Sequence, residues 1–327
     1  MHKSKIDIAV LILFFNRPEH VRKVFEQVKI ARPSRLYLFQ DGARQGREDD
    51  VINVAECRKI VLDIDWECEV HTNFQEKNNG CDPSEYLAQK WMFETEEMGI
   101  VLEDDDVPSQ SFFPFCKELL EKYKDDERIN MICGMNNTGI SEHISDSYLF
   151  TKKGSIWGWA SWRRVLDTWD GNYEWLGDPK KLKKIESQLS KREYLTYIKT
   201  AHEHKKTGRE HYESINAASM YIYDRLNIVP KYNMISNIGI GAETTHSVGD
   251  AKLLPKKIQN LLYMKTYDID FPLKHPKKMT RDYKFEKKMS FSRMDCFFMM
   301  IETAIKSILF QGPKVFIVRL KKKMKGK

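Results

Sequence analysis

From Ile6 to Phe15 nearly every residue is apolar, which predicts a strand buried on both faces of a sheet. Asn16-Arg17-Pro18-Glu19 ends that run. Proline suits the first turn of a helix, and Glu19 suits the positive end of its dipole. Val21, Val24, Phe25 and Val28 then recur at helical spacing. The alternation repeats downstream. Arg35 to Gln40 reads as a second strand ending in Asp41-Gly42, and about Glu48 to Ile64 as a polar helix. Glu67 to Thr72 reads as a third strand, Asn78-Asn79-Gly80 as a turn, and Ser84 to Glu97 as an amphipathic helix. Ile100-Val101-Leu102 is a fourth, buried strand. This β-α-β-α-β-α-β order over about 105 residues is the pattern of a doubly wound α/β domain.

Beyond Pro108 the pattern predicts a helix from Phe112 to Tyr123 and short strands at Ile129–Gly134 and Ser147–Lys152. An aromatic block, Ile156 to Arg164, is left without a regular period. Residues 178–208 are charged and helical, Glu213 to Asp224 is a further helix, and Ile235 to Gly241 is a strand and loop. In the tail, Arg293 to Phe310 puts Asp295, Glu302, Thr303 and Lys306 on one helical side. Phe297, Ile301, Ile305 and Ile308 fall on the other, with a second apolar run at Val315–Val318.

Composition places the chain among globular proteins, at 41% hydrophobic and 31% charged residues. The net charge of +7 is unevenly spread. From Lys252 onward there are 20 Lys+Arg against 6 Asp+Glu, so +14, and the remainder, 34 against 41, is −7. A basic tail of that kind suits an anionic membrane face or nucleic acid. The six cysteines show no Cys-x-x-Cys pair and no zinc-like spacing, which fits free thiols in a reducing, cytosolic setting. The apolar run at the start is too short to span a membrane and has no small-residue cleavage site.

The densest chemistry follows the fourth strand, at Glu103-Asp104-Asp105-Asp106-Val107-Pro108. Pro108 prevents simple continuation of the strand, so the acids lie at a sheet's carboxyl edge, where ligands bind in open α/β folds. Two carboxylates about 4 Å apart repel by roughly 4 kcal/mol at an effective dielectric near 20. A hard divalent cation removes that cost. No Gly-x-Gly-x-x-Gly or Walker-type loop is present, so the usual phosphate cradles are excluded. Asn16 and Arg17 after the first strand, and Asp41 after the second, are candidates for a nucleotide, with Asp41 equally explained as a turn residue. Trp157, Gly158, Trp159 and Trp162 offer either a sugar-stacking wall or a core loop. His246 is a candidate metal ligand or a structural histidine, and Glu213 a candidate general base or a helix-start acid.

In this order the parts resemble a glycosyltransferase of the GT-A fold. Ile100 to Ser109 is similar to the Glu-Asp-Asp form of its Asp-x-Asp region, as in N-acetylglucosaminyltransferase I and in bacterial haemolytic-protein-like and family-2-like sugar transferases. Phe14 to Pro18 resembles the family's first strand and nucleotide loop, and Asn79-Gly80 its Asn-x-Gly turn. Gly154 to Trp162 resembles its acceptor loop, and Tyr232 to Gly241 with Thr245-His246 its closing segment. The resemblance implies a Rossmann-like mixed sheet flanked by helices over residues 1–250, with 1–106 as nucleotide half and 107–250 as acceptor half. A basic, helical extension over 251–327 completes the expected chain. It implies Mn²⁺ or Mg²⁺ on Asp105, with His246 as a further ligand, and a nucleotide-sugar donor, UDP-linked by preference. Asn16, Arg17, Asp41, Asn79, Glu103, Asp104, Trp157, Gly158 and Trp159 would contact donor or acceptor. Asp106 is expected to begin the outgoing loop.

The family's base is an Asp in a Trp-Asp type motif, where this chain reads Glu213-Ser214-Ile215-Asn216. Glu213 is the carboxylate available there. The expected reaction is inverting transfer to a hydroxyl of a glycan or lipid-linked acceptor in cell-surface polysaccharide synthesis. The tail would bind an anionic membrane face from the cytoplasm, with no nucleic acid partner. Two other classes stay open: a nucleotidyltransferase acting on sugar phosphates, which commonly carries a glycine-rich basic loop absent here, and a non-catalytic carbohydrate-binding protein.

Overall fold

A computed structural model describes residues 1–239, 251–290 and 293–311. The first half alternates as its pattern predicts: β1 (Ile6–Phe14), α1 (Pro18–Ala31), β2 (Pro33–Gln40), α2 (Glu48–Val61), β3 (Glu69–Phe74), α3 (Cys81–Thr95) and β4 (Met98–Glu103). Then come β5 (Asp106–Pro108), α4 (Phe112–Lys122), β6 (Ile129–Cys133), β7 (Tyr148–Thr151), β8 (Trp159–Trp162) and α5 (Arg163–Leu166). The chain continues through α6 (Pro179–Glu186), α7 (Lys191–Thr207), α8 (Tyr212–Ile222), β9 (Leu226–Pro230) and β10 (Ile235–Asn237). The last described helices are α9 (Lys256–Gln259), α10 (Tyr283–Met289) and α11 (Arg293–Gln311).

Eight strands form one mixed sheet in the order β3-β2-β1-β4-β8-β6-β9-β7. β1, β2, β3 and β4 are mutually parallel, so their carboxyl ends share one edge. With crossovers right-handed, as the rule has it, the order β3-β2-β1-β4 implies α1 and α2 on one face and α3 on the other, and α1 does pack on α2. β1 buries Ile8 to Ile12 almost completely because both faces are covered.

The aromatic block departs from expectation. Trp159 to Trp162 is strand β8, antiparallel to both β4 and β6 at the middle of the sheet. All of its residues are buried, so helices and strands cover both of its faces and no polar alternation marks it. β9 went unrecognised for a related reason: it is short and closes on Pro230. Asp106 opens β5, which pairs antiparallel with β10 in a two-stranded sheet, rather than starting a loop.

Part of the basic C-terminal region lies on this body. Ser111 N–H donates to Asp268 at 2.9 Å, and Asp282 N–H to Phe150 O at 2.7 Å. Arg281 holds the buried Glu286 through Nε and Nη2 at 2.8 and 2.7 Å, and the same carboxylate accepts from Thr151 Oγ1 and Lys152 N–H in and after β7.

Candidate functional site

Because β1, β2 and β4 are parallel, Asn16-Arg17, Asp41 and the Glu103–Asp106 acids emerge along one edge. A cleft opens there between the ends of β1, β2 and β4 and the first turns of α3, with Arg17, Glu85, Glu103 and Asp104 among its walls. The acids divide into two groups. Asp104 is bound by Arg17, whose guanidinium pairs with it through Nη2 and donates from Nε at 3.2 Å. The same guanidinium reaches Asp105 Oδ2 at 2.9 Å. Glu103, Asp105 and Asp106 form the second group, with carboxylate oxygens all within 4.8 Å of one another.

Each member of that second group is braced. Tyr212 at the start of α8 donates its hydroxyl to Glu103 Oε1 at 3.0 Å. Asn237 at the end of β10 donates to Asp105 Oδ1 at 3.0 Å and Asp106 Oδ1 at 3.1 Å. Gly158 N–H donates to Asp106 Oδ2 at 2.7 Å. Ile238 N–H donates to Asp105 O at 2.9 Å, and a side chain on Gly239 would overlap the Asp105 carboxylate. The closing segment therefore lies directly on the acidic turn. His20 meets it from α1, with Nε2 3.2 Å from Ile238 O.

Burial raises all three carboxyls above their ordinary range. For Glu103 the charges of Glu85, Asp106 and Asp105 add to that effect, and for Asp106 the charge of Asp105 does. Arg17 pulls Asp105 back without cancelling the rise. Converging hard oxygen donors that resist their own ionisation fit a hard divalent cation such as Mg²⁺ or Mn²⁺. Glu103, Asp105 and Asp106 would hold it. Asp104, committed to Arg17, stands apart from that donor set.

Asn16 and Asp41 line that cleft as expected, yet they and several other residues expected to meet a ligand are also engaged by the protein itself. Asp41 is 6% exposed and accepts from the backbone N–H of Gly42, Asn79 and Gly80 and from Asn78 Nδ2, at 2.8 to 3.1 Å. Burial raises its carboxyl above the usual value, and those N–H groups offset the rise only in part. It clasps the 78–80 turn, and Asn79 serves that clasp through its backbone. Asn16 donates to Asp50 at 2.6 Å, tying the end of β1 to α2. Trp159 is 1% exposed inside the sheet and presents no ring face to a sugar. Gly158, at φ +60°, makes room for Ile235, whose Cγ1 would lie 2.7 Å from an added Cβ, and not for a ligand. His246 lies outside the described residues.

Trp157 and Glu213 do share an open cleft, together with Ile156 and Tyr221. Glu213 is exposed in the first turn of α8, next to the Tyr212 that holds Glu103. Asn216, one turn on, is buried and accepts from Asn130 at 3.0 Å. Sequence reasoning set Asp106 aside as the start of a loop, and it missed Asn237 and Glu85. Glu85 lies on the buried face of α3 and receives the Cys81 thiol at 3.1 Å. Burial, reinforced by the Glu213, Asp82 and Asp105 charges, pushes its carboxyl up to about 8. An acid among Ser84, Ala88, Gln89 and Met92 on one helical face was the available signal.

No protein-family model matches the chain, and no curated protein does. Solved structures do align with it at low similarity. An apo UDP-glucose pyrophosphorylase shares 10% identity over 70% of this chain and 93% of its own, at TM-score 0.36. An inositol-1-phosphate CTP transferase from T. maritima shares 11% over 79% and 96%, at TM-score 0.36. The glycosyltransferase GlyE of Streptococcus pneumoniae TIGR4 shares 9% over 69% and 45%, at TM-score 0.34.

Proposed function

We propose that this protein is a metal-dependent, inverting glycosyltransferase that moves a sugar from a nucleotide-sugar, UDP-linked by preference, to a glycan or lipid-linked hydroxyl. The observation that carries the reading is the convergence of half-buried Glu103 with buried Asp105 and Asp106 at the carboxyl edge of the parallel strands, beside a cleft that Glu103 lines. Glu103, Asp105 and Asp106 would hold a divalent ion, which when bound would supply Lewis-acid stabilisation of a diphosphate leaving group.

The chain's own residues take the remaining roles. Arg17 orients Asp104 and Asp105 and offers a cation at the cleft wall. Asn237 and Gly158 fix Asp106. Glu213 takes the proton of the acceptor hydroxyl as its oxygen bonds to the anomeric carbon and the bond to the diphosphate breaks. Trp157 forms a wall for the acceptor in the cleft that Glu213 shares.

The test is release of UDP from a panel of UDP-sugars with Mn²⁺, run on wild type and Glu213→Gln. Wild type turns over at least one donor, and the variant falls by at least about 100-fold while still binding UDP. Full turnover by Glu213→Gln places the base elsewhere. Formation of a nucleotide-sugar from a nucleoside triphosphate and a sugar phosphate would instead establish a nucleotidyltransferase.

A further inference from the structure

Helix α11 faces the wrong way for a helix of a soluble body. Met294, Phe297, Phe298, Met300, Leu309 and Phe310 are all more than half exposed, with Leu309 reaching 72%. Its polar side is the side that docks. Asp295 pairs with Lys257, Glu302 accepts from Lys256 N–H at 3.0 Å, and Lys306 donates to Leu254 O at 2.6 Å. Helix α1 shows the ordinary arrangement, with Val21, Val24, Phe25 and Val28 turned inward. One ion pair and two hydrogen bonds to the 254–257 segment therefore fix α11 with its apolar side directed outward.

From this arrangement we infer that α11 lies in the interfacial plane of an anionic lipid bilayer, inserting its Phe297–Phe298 side. Charge selects the occupant. The sequence after the helix, 312–327, carries six Lys and one Arg and no acid. Lys284, Lys287 and Lys288 are exposed on α10 just before it. An apolar helix side flanked by that much positive charge complements anionic headgroups. A second copy of the chain would bring the same basic segments together and be repelled. Among the described residues no helix is long and apolar enough to cross a membrane, so the helix rests on the bilayer rather than spanning it. The inference does not depend on the transferase reading.

The experiment is co-sedimentation of the full chain with phosphatidylglycerol–phosphatidylcholine vesicles and with phosphatidylcholine vesicles. It compares wild type with Phe297→Ser/Phe298→Ser and, as a second variant, Leu309→Ser/Phe310→Ser. These side chains are exposed, and unchanged circular dichroism of the variants establishes that they fold. Wild type binds the anionic vesicles, binds phosphatidylcholine far less, and each variant loses at least about tenfold in partitioning. Equal binding by wild type and both variants would show that the basic sequence alone is responsible and overturn the inference. Absence of vesicle binding would also overturn it, as would a dimer in sedimentation that the same substitutions dissolve.

Discussion

At the scale of single residues, the site depends on which atoms are already engaged. Asp41, Asn16 and Gly158 occupy the places that a resemblance would assign to ligand contact, yet each is engaged by the protein. The positions of Asn16 and Asp41 at strand ends were legible in the sequence; that of Gly158, just before β8, was not. Their partners were not, because Asn78, Asp50 and Ile235 come from elements whose packing no local pattern specifies. Gly158 gives a direct check. A methyl group there would meet both an unfavourable left-handed backbone and the Ile235 side chain. Gly158→Ala should lower stability by about 1–3 kcal/mol in denaturant unfolding. A change within about 0.5 kcal/mol would show that the 158–235 contact is slack.

At the scale of elements, four parallel strands and the helices between them could be read from apolar runs and helical spacing, and those elements deliver the acids. The other half of the sheet was less legible. β8 is buried throughout, so Trp157 to Trp162 reads equally as core or as binding loop until its pairing with β4 and β6 is seen. The tie between β7 and α10 is likewise invisible in the sequence, since Thr151 and Glu286 stand 135 residues apart. Burial works to raise the Glu286 carboxyl, but Arg281 and the Lys152 N–H outweigh it and hold it below its usual value. A carboxyl lowered on folding stabilises the native state above its unfolded pKa, and that contribution fades as pH falls through the folded value. Glu286→Gln should therefore cost on the order of 2–3 kcal/mol near neutral pH, and the loss should shrink below about pH 4. A loss that stays constant from pH 7 to pH 3 in chemical unfolding would contradict this account of the clamp.

At the scale of the whole molecule, the acidic turn is where the two halves of the sheet meet. β4 delivers it, α1 supplies Arg17, α8 supplies Tyr212, and β10 with the 237–239 segment lies over it. Asp105 is touched from both α1 and β10, and Asp106 joins β5 to the Gly158 loop. The sequence pointed to Asp105 as a metal ligand; the convergence of Glu103 and Asp106 beside it depends on the turn between β4 and β5. A cation bound there would relieve two buried carboxylates and one half-buried one at once, which ties nucleotide affinity to metal. Calorimetric titration of UDP into wild type and Asp105→Asn, each with and without Mn²⁺, tests that claim most directly. The account predicts UDP binding by wild type that requires Mn²⁺ and weakens at least about tenfold in Asp105→Asn. Equal UDP affinity with and without Mn²⁺, or an Asp105→Asn protein that binds as wild type does, would contradict it.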